Sequence, residues 1–307
     1  MKICNLSHDD YSNFAYEQTK ALLKVGLDAE CIKEKKHQFN YGKEGEVLSE
    51  NEIYERLRRA DIVQIFHSHR RALTLFQKSG SKAKLTVWHT GTIYREQPTE
   101  IYNLFQTAGA IKHFTDQCEF LISNPHLIYI AAAIDIDEYK DYKFNFETQR
   151  PFFVSHFPSK SQIKGSETIC KMMEDMDCKF TYSDKLVSHD QQLERMSRCD
   201  IYIELFQNQL NGKDYGCYGV TAFESAAMRK IVFTQNIYEF AYRNSYHCEL
   251  PFFICNTPSD FIEKMKMVLK YSPIQLIEHQ RRTNEWLVRN HSLEATGMKV
   301  RNILLGI

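Results

Sequence analysis

Residues 199–236 read as strand, glycine-punctuated loop, helix and strand in one compact unit, and that order admits little besides an α/β domain. Ile201, Ile203 and Leu205 alternate as one strand face, and Asn211-Gly212 and Gly216 mark a loop where the backbone turns sharply. Tyr218-Gly219-Val220-Thr221 then leads into Ala222-Phe223-Glu224-Ser225, so amides freed at a helix start sit beside a glycine that lets an anion approach. That geometry suits a phosphate. Glu224, one turn beyond Val220, stands where a carboxylate accepts from a ribose diol. An ordinary strand-loop-helix with a solvent-facing glutamate satisfies the same letters.

The remainder of the chain supplies more of the same alternation. At 307 residues it is about twice the usual domain size, so two domains are expected. Lysine plus arginine equal aspartate plus glutamate at 39 each, and no global field marks the chain for nucleic acid or an anionic membrane. Nine cysteines, an odd number without paired metal spacing, fit a reducing compartment. No apolar run approaches the roughly 20 residues of a membrane span, and Met1-Lys2-Ile3-Cys4 opens a strand instead of a signal peptide. A cytoplasmic chain is expected.

In order, a strand at residues 2–6, a helix at about 13–25 and a strand at 29–32 begin a doubly wound pattern. Open sheets of this kind place ligands at the carboxyl ends of their strands. The loop carrying Ser12 and Asn13 falls at such an end, although Ser12 reads equally well as a helix cap. A charged helix at 50–59 leads to a buried strand at 60–67. His67-Ser68-His69 has metal-ligand spacing only if extended and lacks a third ligand nearby, so it reads as loop chemistry. The strand at 85–88 delivers His89-Thr90-Gly91 and then Arg95 to a second carboxyl-end loop. There His89 faces substrate and Arg95 holds an anion, or else they are a satisfied core histidine and a surface ion pair. Residues 112–117 and 127–135 read as the last strands of the first domain. The tail from about residue 259 is helical to its end.

The run Gly216-Cys217-Tyr218-Gly219 through Ile231-Val232-Phe233 resembles the donor-site segment of GT-B glycosyltransferases. It is most similar to the large retaining, nucleotide-sugar-dependent group (glycosyltransferase family 4-like). That family carries two glutamates separated by seven residues; Gly216 stands where the first belongs, and Asp214 is the substitute offered by the same loop. A Lys-Gly pair at a helix start is matched by Lys164-Gly165, following a strand at 151–156. Ser155-His156 occupies the place of an expected arginine, with Ser159 or Lys160 compensating. Asp135-Ile136-Asp137 followed by Tyr139 is similar to the exit joining two GT-B domains, and only its Asp-X-Asp spacing suggests a metal site.

The resemblance implies two Rossmann-like domains facing a central cleft, with the C-terminal helix crossing back to the first. Residues 1–148 plus about 285–307 would form the acceptor domain and 149–284 the donor domain. It implies retaining, metal-independent transfer of a sugar from a nucleotide sugar to an acceptor hydroxyl, with no cofactor. The implied catalytic residues are Lys164, His89 and Asp214. Donor binding falls to Ser155, His156, Ser159, Lys164, Gly165, Tyr218, Gly219, Val220, Thr221 and Glu224; the acceptor side comprises Ser12, Asn13, His89, Thr90 and Arg95. The acceptor is a glycan or small molecule. Alternatively, eight basic residues between Arg56 and Lys84 would suit DNA with a hydroxymethylated base, which some viral GT-B enzymes glycosylate. Other readings are a nucleotide-sugar epimerase, with Asp9, Asp10 and Asp116 as acid-base carboxylates, or a non-catalytic nucleotide-sugar-binding module. The sequence fixes no oligomeric state.

Overall fold

The computed structural model describes residues 1–142, 151–217 and 219–306. The chain divides into two units, Met1–Asp135 with Asn290–Ile307, and Ile136–Arg289. The boundary read from the sequence at 148/149 lies outside the described residues. The observed change comes earlier, directly after Asp135, whose carboxylate is held 2.6 Å from Lys20 in the first unit.

The first unit is built on seven strands: β1 (Lys2–Ser7), β2 (Asp28–Lys33), β3 (Glu46–Val47), β4 (Ile62–Ile65), β5 (Lys84–His89), β6 (Ala110–Thr115) and β7 (Ile128–Tyr129). They pair in parallel in the order β3-β2-β1-β4-β5-β6-β7. Central strands such as β4 are buried throughout, as expected of a parallel sheet covered on both faces. Strand order reverses between β1 and β4, and their carboxyl ends therefore frame a crevice. Ser49 and Glu52 form a reciprocal capping box that starts the helix Glu50–Arg59. The helix Leu293–Leu305 packs against Phe14–Lys24 so closely that a Cβ on Gly297 would fall 2.2 Å from the Ala21 carbonyl oxygen.

The apolar run 127–135 yields only the two-residue β7 where one longer strand was expected. Its later backbone is taken by the C-terminal segment instead: Ile134 N–H donates to the His291 carbonyl at 2.8 Å, and His291 Nδ1 lies 2.7 Å from the Ala132 carbonyl.

The second unit holds β8 (Phe153–His156), β9 (Lys179–Tyr182), β10 (Ile201–Ile203), β11 (Gln209–Leu210), β12 (Lys213–Asp214), β13 (Ile231–Thr234) and β14 (Phe253–Ile254). Five of them form a parallel sheet ordered β14-β13-β10-β8-β9, while β11 and β12 make a separate antiparallel hairpin. Val154, Ile169, Ile201, Ile203, Ile231, Phe233 and Phe261 make up much of its core. Here the order reverses between β8 and β10, so the loops after these two strands meet at the switch point. Among the described residues no cysteine is in a disulfide, and no helix is long and apolar enough to cross a membrane.

Candidate functional site

At the switch point of the second unit, the turn after β8 rests on the end of β10. Gly165 has φ +69°, and a Cβ there would lie 1.7 Å from the Phe206 carbonyl oxygen, so only glycine fits. The Phe206 N–H donates to the Lys164 carbonyl at 3.0 Å and fastens the turn. Lys164 Nζ is thereby brought onto the carboxylate of Glu204, the first residue beyond β10. Glu204 has no side-chain exposure, and it also accepts the Gly219 N–H at 3.3 Å and the Thr234 hydroxyl at 2.9 Å. Gly219 is the N-cap of the helix Val220–Ala227 and has no side chain of its own to cap that helix start. Lys164, Gly165 and Gly219 are therefore brought together, with Val220 and Thr221 following as the first turn of the helix. Glu204 was missed. Its only sequence signal was an acidic residue directly after an apolar strand and facing away from the Ile201, Ile203, Leu205 side.

Glu224 lies on the same helix, nearly buried, with Oε1 bonded to His189 Nε2 at 2.7 Å and to the Tyr139 hydroxyl at 3.5 Å. It is thus an engaged carboxylate, and Tyr139 reaches the helix Val220–Ala227 through its bond to Glu224. Gly216 has φ +133°, a backbone conformation that side-chain-bearing residues rarely adopt, and a Cβ there would lie 3.1 Å from Gln235 and 3.2 Å from the Gln207 carbonyl oxygen.

Four expectations in this unit are corrected or fall outside it. His156 is fully buried and ties β10 to the next helix, through the Ile203 carbonyl and Ser166 Oγ, each at 2.8 Å. Burial lowers its pKa to about 4, so it is a neutral structural group and not the missing cation. Ser155 is buried within β8 between β9 and β10, where a ligand has no access. Asp214 sits exposed on the β11–β12 hairpin, its carbonyl accepting from the Tyr238 hydroxyl. Tyr218 lies outside the described residues. Ser159 is half-buried in the loop after β8.

In the first unit, the loops after β1 and β4 hold five residues other than glycine in left-handed backbone: Asp10, Ser12, Asn13, His67 and Ser68. Asp10, not Ser12, supplies the acceptors for the following helix, taking the Ala15 N–H at 2.7 Å and the Tyr16 N–H at 3.1 Å. Asn13 donates to the Lys43 carbonyl while its Oδ1 is buried without a hydrogen-bond partner. His67 meets Thr90 Oγ1 at 2.7 Å and lies 3.5 Å from Asp10, so it is the histidine of this crevice.

His89 is not. It is fully buried between Ser68 Oγ at 2.7 Å and His113 at 2.8 Å, and burial holds its imidazole well below the ordinary pKa, which removes it from the substrate-facing role. Arg95 is taken by Gln117 at 2.7 Å and Glu119 at 3.2 Å rather than reserved for an anion. At least three of the eight cations in the basic stretch are held in ion pairs. Arg70 pairs with Glu100, Arg71 with both Glu34 and Glu50, and Arg56 with Glu30.

Asp116, just past β6, keeps Oδ1 buried without a hydrogen-bond partner. Burial, with the nearby Glu119 charge, raises its pKa to about 7, against the pull of His67 and Arg95. An unfolded aspartate releases its proton near pH 3.9. The folded chain is therefore increasingly penalised as pH rises from about 4 to 7, and the penalty is constant above that. Asp116→Asn removes it, and the variant is expected to gain on the order of 4 kcal/mol on the wild type between pH 4 and pH 8. Urea denaturation at both pH values measures this; an unchanged gap would mean that Asp116 ionises normally.

No protein-family model and no curated protein matches the sequence. Solved structures do match along the whole chain. An alpha-glucosyltransferase in complex with UDP-glucose and DNA containing an abasic site has a TM-score of 0.71 at 11% identity, covering 99% of each chain. HepE of Anabaena in complex with UDP-glucose has a TM-score of 0.71 at 10% identity over 100% of both chains. Sucrose-phosphate synthase of Thermosynechococcus elongatus has a TM-score of 0.64 at 10% identity, covering 100% of this chain and 99% of that one. At these identities the likeness establishes the fold. It is the α/β GT-B fold of two Rossmann-like domains.

Proposed function

We propose that the chain is a glycosyltransferase that moves a sugar from a nucleotide-sugar donor to an acceptor hydroxyl. The observation that carries this reading is the convergence of Lys164, Gly165 and the helix start at Gly219 on the switch point of the second sheet. Cleavage of the glycosidic C–O bond leaves a diphosphate that gains charge, and an ammonium with helix-start amides stabilises that charge without a metal. Retention of anomeric configuration is proposed from the donor-segment motif. UDP-glucose bound to similar folds supports a nucleotide sugar as donor. We propose a cytoplasmic location from the odd number of cysteines without paired metal spacing.

Glu224 is assigned to the ribose. Both of its bonds use Oε1, and Oε2 is the oxygen offered to the diol. Glu224→Ala is expected to weaken nucleoside diphosphate binding by on the order of 1.5–3 kcal/mol while the chain stays folded. Calorimetry with UDP measures it, and unchanged affinity in a folded variant would remove Glu224 from the site.

A glycan or small molecule is the proposed acceptor. A modified base in DNA is the second reading, favoured by the similar fold that holds DNA. Salt-dependent gel shifts on hydroxymethylated and plain DNA decide between them, since binding through phosphates falls steeply with salt. Arg70 and Arg71, already ion-paired, contribute little to such a face.

A further inference from the structure

We propose that Glu204 competes with the donor's diphosphate for Lys164 and for the Gly219 amide, and so sets how tightly the nucleotide is held. The inference rests on the donor reading above and deepens it. A carboxylate with no exposed side chain is costly unless its partners are close, and Glu204 has three: Lys164 Nζ, the Gly219 N–H and the Thr234 hydroxyl. Two of these three are the groups assigned to the diphosphate. A Cβ built on Gly219 would lie 3.4 Å from Glu204 Oε1 and 3.6 Å from Lys164 Nζ, so ammonium, carboxylate and helix start share one small volume.

Charge decides the consequence. The lysine and glutamate together present no net charge, and an incoming diphosphate must draw Lys164 away from a buried anion while sitting close to that anion. A site with the lysine alone would hold nucleoside diphosphate more tightly and release it more slowly. Glu204 is thus a positioning residue that trades nucleotide affinity for release.

The test is calorimetric titration of the full chain with UDP, GDP and ADP and with the matching nucleosides. Glu204→Gln keeps the shape and the hydrogen-bonding capacity toward Gly219 and Thr234 while removing the charge. It is expected to bind the preferred nucleoside diphosphate about tenfold more tightly and the nucleoside within twofold of wild type. Glu204→Met removes the charge by a different route and is expected to show the same split if the glutamine variant folds poorly. Diphosphate affinity that is unchanged or weaker in a folded variant overturns the inference, as does an equal gain for the nucleoside. Failure of the wild type to bind any of the three diphosphates overturns the donor reading itself, and with it this one.

Discussion

Lys164→Ala is expected to lower kcat about 100-fold while weakening nucleoside diphosphate binding much less, because the charge met by the ammonium grows as the glycosidic bond breaks. That loss corresponds to about 2.7 kcal/mol of transition-state stabilisation. The same substitution strips Glu204 of its cation, so a fall in melting temperature is expected alongside the kinetic loss. The two effects separate in Lys164→Ala combined with Glu204→Gln. There the uncompensated buried charge is gone, and the melting temperature recovers while kcat does not. Recovery of both would make Lys164 a structural partner of Glu204 and nothing more.

Gly165→Ala is expected to be the most damaging small substitution in the second unit. Its Cβ would have to occupy a point 1.7 Å from a backbone carbonyl oxygen, at φ +69°, and backbone cannot yield as a side chain tip can. A cost above about 3 kcal/mol is expected, read as a lowered urea midpoint, with loss of whatever activity depends on the Lys164 turn. Gly80→Ala is the matched control. Gly80 has nearly the same φ, +68°, and nothing within 4 Å of the added atom, so only the backbone term of about 1 kcal/mol applies. Equal costs at the two positions would mean that the contact with Phe206 is not as tight as described.

Much of the fold was legible because it depends on local order. The strand-loop-helix-strand of residues 199–236, the Lys164-Gly165 turn and the doubly wound alternation are each written in adjacent letters, and the structure contains them. What was not legible depends on depth and on partners distant in sequence. His89 and His67 both stand near carboxyl ends of neighbouring strands, and periodicity does not tell which is covered. His113 and Ser68 close over His89, whereas the left-handed backbone at His67 turns its ring toward Thr90. His156 was read as a donor-binding residue although Ile203 and Ser166 hold it inside the sheet. The basic stretch from Arg56 to Lys84 looked uncompensated because Glu30, Glu34, Glu50 and Glu100 all lie outside it. Glu204 escaped for the same reason, since its value comes from Lys164, Gly219 and Thr234, which are separated along the chain and meet only at the switch point.

The most direct measurement is nucleotide release from a panel of nucleotide sugars incubated with the full chain, with and without EDTA, and with mass-spectrometric detection of the sugar's new position. The expected result is release of a nucleoside diphosphate matched by transfer of the sugar to an added acceptor, at the same rate with EDTA as without it. No binding and no turnover of any nucleotide sugar would contradict glycosyl transfer, and a strict need for added manganese or magnesium would contradict the role given to Lys164.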